Sequence, residues 1–230
     1  MKTIGIIGGM SFESTTTYYK IINETINTKL GELNSAKILL YSVNFEEIAN
    51  LQKQNEWGKA AEILSECAKK LELGGADFIL IATNTMHKIF DEIQRSVKIP
   101  LIHIAQSTAN ALKEANITKI GLLGTKYTMM QDFYKNILIK EGIEAIIPDE
   151  NDIQDVNDII FSELCKGQIK EKSKEKYLEI IEKLKNKGAQ GVVLGCTEIG
   201  LLLSKNDTQI PIFDTTLIHA LDAVNLALKD

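Results

Sequence analysis

The sequence predicts an α/β protein built from two pseudo-symmetric lobes with mainly parallel sheets. Short apolar runs alternate with longer segments whose apolar residues recur at helical spacing, which is the pattern of strand–helix–strand units. Several blocks of the chain also occur twice, in the same order in each half. A strand–helix pattern that is repeated in this way favours two related halves over one continuous sheet.

Three pairs of matching blocks define the internal repeat. They are IGIIGG (4–9) with IGLLGT (120–125), GADFILIATNT (75–85) with GAQGVVLGCTE (188–198), and IPLIHIAQST (99–108) with IPIFDTTLIH (210–219). Their matched positions are separated by 116, 113 and 111 residues. Similar separations in a constant order indicate a duplicated unit.

The first half contains four apolar runs that predict buried strands, and its glycines after the first run let the backbone approach a ligand closely. The predicted strands are 3–7, 38–43, 77–82 and 101–104, and the predicted helices are about 14–30, 45–52 and 57–73. The glycine pattern after the first strand lacks the third spaced glycine of a dinucleotide-binding fingerprint. A nicotinamide cofactor is therefore not expected.

The second half repeats this order. Its predicted strands are 119–123, 191–195 and 210–213, and its predicted helices are about 128–141, a segment ending at 164, and 177–187. The charged run 166–176 predicts a solvated loop and a helix start. Because the terminal segment matches the crossing in the first half, we expect it to pack back on the first lobe. The predicted lobes are 1–101 plus 208–230, and 102–207.

Composition excludes several classes of function. The 230 residues carry a net charge of -5, and lysines are interspersed with glutamates, so no basic footprint for nucleic acid is present. Three cysteines form neither a disulfide framework nor a set of metal ligands, which favours a reducing compartment and no metal. No signal peptide and no apolar run long enough for a membrane span are found. The expected location is the cytoplasm.

Two matching strand ends carry the side chains best suited to chemistry. Thr83 follows one apolar run and Cys196 follows its counterpart, and ligands in open α/β sheets bind beyond the carboxyl ends of strands. A lone cysteine is often an inert small apolar residue, so the second copy is what favours a site. If an approximate two-fold axis relates the halves, Thr83 and Cys196 approach a ligand from opposite sides of an interlobe cleft. Proton-transfer groups on both faces of a carbon suit racemisation or epimerisation.

The motifs GGM (8–10), TNTMH (83–87) and GCTE (195–198) resemble those of the aspartate/glutamate racemase family, and the resemblance covers essentially the whole chain. Longer stretches such as GCTEIGLL (195–202) are similar to its branch of broad-specificity racemases acting on L-aspartate and L-glutamate. The resemblance implies two α/β lobes with the site between them, a homodimer, no cofactor, and Cys196 as one acid/base group. The substrate neighbours that it implies are Met10, Gln52, Asn84, Thr85, Thr125 and Thr197.

Thr83 departs from most of the family, whose members carry cysteine at both catalytic positions, although the broad-specificity branch shares the threonine. A free thiol titrates at about 8.5, whereas an aliphatic hydroxyl is a far weaker acid. We therefore expect an asymmetric pair. The thiolate of Cys196 removes the α-proton of the L-enantiomer, and Thr83, or a water that it holds, returns a proton on the other face.

Two further features favour aspartate or broad specificity over a dedicated glutamate racemase. Glu198 stands where glutamate racemases usually carry a histidine, and the first glycine loop lacks their acidic residue. A dicarboxylate substrate also needs a cation for its side chain, and Lys166 is the predicted partner.

Two other functions stay open at this point. A decarboxylase of malonate-type acids uses a single cysteine and protonates an enolate on one face only. A non-catalytic protein that binds an amino acid would need no acid/base pair. Release of carbon dioxide would select the first, and binding without exchange at Cα would select the second.

Overall fold

The computed structural model describes residues 1–229, which form two units. The first unit comprises Met1–His103 together with the chain from His219 onward, and the second comprises Ile104–Ile218. Each unit is built around its own four-stranded parallel sheet. The chain therefore leaves the first unit once and returns to it once.

The sheet of the first unit has the strand order β2-β1-β3-β4, and every neighbouring pair is parallel. Its strands are β1 (Ile4–Gly8), β2 (Ile38–Ser42), β3 (Phe78–Ile81) and β4 (Leu101–Ile102), and its helices are α1 (Phe12–Leu30), α2 (Phe45–Lys53), α3 (Trp57–Leu73) and α4 (Phe90–Arg95). The central strands β1 and β3 are buried at every residue. Helices cover both faces of such a sheet, which is why these strands appear as continuous apolar runs.

The sheet of the second unit has the equivalent order β6-β5-β7-β8, again parallel throughout. Its strands are β5 (Lys119–Gly124), β6 (Glu144–Ile146), β7 (Val192–Gly195) and β8 (Ile212–Asp214), and its helices are α5 (Ile104–Glu114), α6 (Lys126–Met130), α7 (Asp132–Lys140), α8 (Glu150–Ser162), α9 (Glu171–Asn186) and α10 (Ile199–Leu202). The first and third strands of each unit are adjacent in its sheet. The predicted two-lobed parallel α/β fold is confirmed.

The last helix, α11 (Thr215–Ala227), carries the chain back to the first unit. Its Ala220, Ala223 and Val224 are buried in one apolar cluster with Ile4 of β1 and Tyr18 of α1. In the same way α5, which follows β4 directly, packs in the core of the second unit. Each sheet is therefore covered on one face by a helix that follows the last strand of the other sheet.

Residues 208–218 lie elsewhere than the prediction placed them. They were expected in the first lobe, but β8 pairs in parallel with β7, so that Val192 lies beside Ile212 in the second sheet. The first unit resumes only at His219. In both halves the chain leaves its unit after the fourth strand, β4 or β8, so strand pairing and the match to the first half agree on a crossing after β8.

Three elements differ from the sequence prediction in smaller ways. The predicted helix 128–141 is two helices, because Gln131 between α6 and α7 is extended (φ -86°, ψ 157°). The edge strand β6 was not predicted, since it has three residues and the first is an exposed glutamate. The charged run is ordered as a helix from Glu171, earlier than expected. Among residues 1–229, no helix combines the length and apolar character that a bilayer span requires.

Candidate active site

The turns after β3 and β7 occupy equivalent places in the two sheets. Each central strand ends in a run of small polar side chains, which are Thr83, Asn84 and Thr85 after β3 and Cys196, Thr197 and Glu198 after β7. All six are buried, with exposed fractions of 9% or less. Buried polar groups at the carboxyl ends of parallel strands are typical of a ligand site in this class of fold.

The turn after β3 is fixed by a neutral histidine. His87 Nδ1 lies 2.8 Å from the carbonyl oxygen of Thr83, and because a carbonyl only accepts, Nδ1 carries the hydrogen and donates it. Burial, with a smaller contribution from His103, lowers the pKa of His87 well below its usual value. The imidazole is therefore uncharged at neutral pH. It holds the backbone of Thr83 in place one helical turn away.

His87 belongs to a cluster that contains all three histidines of the chain. Its ring centroid lies 4.7 Å from that of His103 and 5.9 Å from that of His219, and Tyr18 Oη lies 2.8 Å from His219 Nδ1. Burial lowers the pKa of both His103 and His219 to about 3. The sequence prediction treated His87 as structural and did not single out the other two histidines. His103 follows β4, and His219 lies in α11.

Met10 and Gln52 lie in the same unit as this turn. Both are buried, and Met10 packs in one apolar cluster with Met86, the residue after Thr85. Gln52 Nε2 donates to the sulfur of Met86 over 2.9 Å. The loop before Met10 is set by Gly9, whose φ of 91° places it in the region that favours glycine. These contacts connect two predicted substrate neighbours to the turn that carries Thr83.

The turn after β7 places a carboxylate beside a thiol. Cys196 Sγ donates to Glu198 Oε2 over 3.0 Å, and Thr197 Oγ1 donates to the same oxygen over 2.9 Å. Cys196 is 7% exposed and Glu198 2%. Burial first, and then the negative charge of Glu198, raises the pKa of the Cys196 thiol well above its usual value. The thiol is consequently protonated when no ligand is bound.

Cys165 is a second thiol beside Glu198. It lies in a single 3-10 turn, Leu164–Lys166, and burial together with the nearby Glu198 raises the pKa of its thiol. The sequence prediction used Glu198 only as a mark of specificity and did not single out Cys165. Their proximity depends on how that turn packs against α10, which no spacing in the sequence reveals.

Thr125 and Lys166 are the remaining predicted site residues of the second unit. Thr125 caps α6, its hydroxyl accepting from Thr128 N over 3.3 Å, and it is 6% exposed. It holds the place after β5 that Gly9 holds after β1. Lys166 is exposed at the end of the 3-10 turn that contains Cys165. Its part in binding stays a prediction. Within residues 1–229, no cluster of histidine, cysteine and acidic side chains could hold a metal ion.

This fold and these paired strand-end turns define a two-lobed α/β protein of the amino-acid racemase class. The chain belongs to the Asp/Glu/hydantoin racemase family, whose profile matches residues 7–223. The match covers both units and both turns. The resemblance predicted from the motifs is confirmed at the level of the family.

Individual relatives agree along the full length. The broad-specificity amino-acid racemase RacX of Bacillus subtilis is 26% identical over 228 residues, with 98% of each chain covered. A candidate Asp/Glu racemase of Yersinia pestis is 51% identical with a TM-score of 0.92. PH1733 of Pyrococcus horikoshii, described as an aspartate racemase homologue, is 38% identical with a TM-score of 0.87. Both crystal structures are matched over 100% of each chain.

Proposed function

We propose that this protein racemises aspartate, glutamate or both by removing and returning a proton at Cα, without a cofactor. Cys196 and Thr83 are the acid/base groups on opposite faces of the substrate, and the L-enantiomer is the preferred substrate. One observation carries the proposal: the two side chains follow equivalent central strands, β7 and β3, in units of equivalent strand order. The names of the relatives support the same substrate class.

The proton balance of the reaction is simple. The Cys196 thiolate takes the α-proton of the L-amino acid, so that an S–H bond forms, the Cα–H bond breaks, and the electron pair stays on Cα and its carboxylate. A proton from the Thr83 hydroxyl, or from a water that it holds, then forms the new Cα–H bond on the opposite face. Solvent restores both groups. Inversion requires no other reactant.

The pair is asymmetric because a hydroxyl gives up its proton far less readily than a thiol. The D-to-L direction requires Thr83, or its water, to act as the base, so its turnover is slow. The overall equilibrium constant of a racemisation is nevertheless unity. Because kcat/KM must then be equal in the two directions, the L-preference lies in kcat, with a compensating difference in KM. It appears in initial velocities at saturating substrate.

The substrate carboxylate gains charge as the α-proton leaves. In this proposal the backbone N–H groups around Asn84, Thr85 and Thr197, at the ends of the strands, donate to it. Preorganised donors of this kind usually supply the largest stabilisation. Met10, Gln52 and Thr125 complete the substrate neighbours. Lys166 is the proposed cation for the side-chain carboxylate. Because Lys166 is exposed, this ion pair contributes about 1 kcal/mol or less.

The proposal extends to assembly and location. The protein works as a homodimer in the cytoplasm, where the three free cysteines stay reduced. Sedimentation velocity gives the mass in solution. A single species at the monomer mass would contradict the dimer and leave the proposed chemistry unaffected.

The test is deuterium wash-in at Cα. L-aspartate, L-glutamate and their D-enantiomers are incubated separately in D₂O at saturating concentrations, and chirality and label are measured together over time. We expect label and D-product to appear from the L-enantiomers, with far slower label uptake from the D-enantiomers. Cys196→Ser should remove both signals. Equal wash-in from both enantiomers refutes the asymmetric pair, and binding without any exchange refutes the racemase.

A further inference from the structure

The buried carboxylate of Glu198 is the feature of the second unit that the proposed reaction does not yet use. Its Oε2 accepts hydrogen bonds from Cys196 Sγ over 3.0 Å and from Thr197 Oγ1 over 2.9 Å. The Cys165 thiol lies near this carboxylate, which contributes to the raised pKa of that thiol. The carboxylate is 2% exposed. A carboxylate placed this deep beside the one thiol that must become a thiolate is a ready proton acceptor.

We propose that Glu198 receives the Cys196 thiol proton, so that the thiolate forms inside the buried pair. The inference rests on the proposed function, because it assigns the step that precedes proton removal from Cα. In that step the Sγ–H bond breaks and an O–H bond forms at Oε2. The products are the Cys196 thiolate and the neutral carboxylic acid of Glu198. No other acceptor takes part.

Charge explains why the transfer is favoured over loss of the proton to water. Burial is the largest cause of the raised Cys196 pKa, and the charge of Glu198 comes second. Losing the proton to water would leave two negative charges side by side in a buried site, which is costly. Moving the proton to Glu198 leaves the pair with a single negative charge throughout. A raised pKa for loss of the Cys196 proton to water is thus compatible with Cys196 acting as a base.

The other titratable groups around the pair are neutral or fixed by hydrogen bonds. Burial raises the pKa of both the Cys165 thiol and the Tyr177 hydroxyl of α9, so neither ionises near neutral pH. Asp214 at the end of β8 accepts from Thr216 N over 2.8 Å, and burial raises the pKa of its carboxyl. Asp214 therefore needs a separate control.

The first unit has no equivalent of this carboxylate. The repeat aligns Glu198 with Thr85 and Cys196 with Thr83, and the turn TNTMHK (83–88) contains no acidic residue. Of the two turns, only the one that carries the thiol contains a carboxylate. This difference agrees with a pair in which Cys196 is the base for the L-enantiomer.

The experiment measures two pH profiles from pH 6 to 8 in wild type and in Glu198→Gln. The first is the rate of Cys196 alkylation by iodoacetamide, followed by peptide mass spectrometry, which does not depend on racemase activity. The second is kcat/KM for the L-amino acid. Wild type should give nearly flat profiles, because the proton count of the pair does not change. In Glu198→Gln the logarithm of each rate should rise by about one per pH unit, as for an isolated thiol.

Activity gives a second signature. Glu198→Gln should lower kcat at pH 7 by at least about tenfold, with a smaller change in KM, because positioned proton transfer contributes typically 10²–10⁴-fold. Glu198→Asp should restore the flat profile at a lower rate. Asp214→Asn should keep the wild-type slopes, and Glu179→Gln on the exposed side of α9 is the control for a surface glutamate.

Slopes of one in both wild type and Glu198→Gln overturn the inference, since Glu198 would then only brace the turn. Wild-type slopes retained by Glu198→Gln overturn it equally. If wild type proves not to racemise any amino acid, the proposed function fails. The alkylation profile still decides the role of Glu198 in that case.

Discussion

The turn after β3 and the turn after β7 start from the same place in the same strand order, yet they surround their leading side chains differently. Thr83 is braced through its carbonyl by a neutral histidine, 2.8 Å away. Cys196 is bonded through its sulfur to a carboxylate, 3.0 Å away. The comparison teaches that the duplicated fold supplies position, while a few side chains just beyond the strand supply acid/base character.

The two segments also differ one helical turn after Thr83 and Cys196. His87 packs beside His103, at the end of the fourth strand of its sheet. Its counterpart in the repeat is Gly200, where an added Cβ would lie 2.5 Å from Asp214 Oδ2, also at the end of a fourth strand. In the first unit the imidazole ring of His87 occupies this position. In the second unit the carboxylate of Asp214 packs against the backbone of Gly200, which has no side chain.

The largest expected effect comes from exchanging the two leading side chains. Cys196→Thr puts a hydroxyl on both faces and should lower kcat for the L-enantiomer by roughly 10³-fold or more, because the base is lost. Thr83→Cys puts a thiol on both faces and should raise kcat in the D-to-L direction more than kcat in the L-to-D direction. Initial velocities from each pure enantiomer at saturating concentration measure both. Equal stimulation of the two directions would remove the basis of the asymmetry.

A smaller effect is expected where the two glycine-loop positions differ. Gly9→Ala should lower the free energy of unfolding by on the order of 3 kcal/mol, because φ is 91° and a Cβ would collide with the Val43 backbone. At the matching place Thr125→Ala removes only a helix cap, at a cost of about 1 kcal/mol. Urea unfolding followed by circular dichroism measures both.

Gly58→Ala is the control for the loop substitutions. Gly58 lies in α3 with nothing near its added Cβ, so it should gain stability by about 0.5 to 1 kcal/mol. A Gly9→Ala protein as stable as wild type would show that this loop tolerates a side chain.

The third effect is pH dependence that comes from the first unit. His87, His103 and His219 have pKa values lowered by burial, so below the unfolded value of about 6.5 the unfolded chain binds protons that the folded chain does not. Their stabilisation is complete above pH 6.5 and decreases as the pH falls toward 3. Between pH 7 and 5, before most carboxylates titrate, we expect a loss of about 2 kcal/mol for each histidine, or about 6 kcal/mol for the three.

Thermal unfolding at intervals of half a pH unit measures this loss. His103→Gln removes one of the three groups and should flatten the slope, whatever its effect on stability at pH 7. An unchanged slope would mean that His103 binds protons equally in the folded and unfolded chain.

The smallest effect is expected for Lys166→Gln. An exposed cation contributes about 1 kcal/mol or less, so KM for a dicarboxylate should rise less than about fivefold while kcat changes little. Lys172→Gln, on the exposed start of α9, is the matched control. Identical KM values in the two variants would exclude Lys166 from the substrate.

Much of this molecule follows from local sequence patterns. β1 and β3 were predictable because strands covered on both faces must be apolar at every residue, and the repeat made β5 and β7 their counterparts. Motifs at the strand ends identified Thr83 and Cys196. The edge strand β6 was missed because it is short and partly exposed. Residues 208–218 were misplaced because the crossing was set before β8, whereas it follows β8 as the first crossing follows β4.

What the sequence could not indicate is which distant groups surround each turn. His219 reaches His87 only because α11 returns to the first unit, and Cys165 reaches Glu198 only through the packing of a short 3-10 turn. Such contacts join residues far apart in the chain, and neither periodicity nor motif spacing records them. Glu198 itself was visible as a difference from glutamate racemases, but not as the partner of the sulfur.

The return of α11 has a consequence for biosynthesis. Ala220, Ala223 and Val224 complete the core around β1, yet they leave the ribosome about 200 residues after that strand. One apolar face of the first sheet therefore stays exposed to solvent while the second unit is synthesised. Chaperones can bind this exposed face during that time. Residues 1–103 expressed alone should give an aggregation-prone fragment. Coexpression of a peptide that contains α11 should make this fragment soluble.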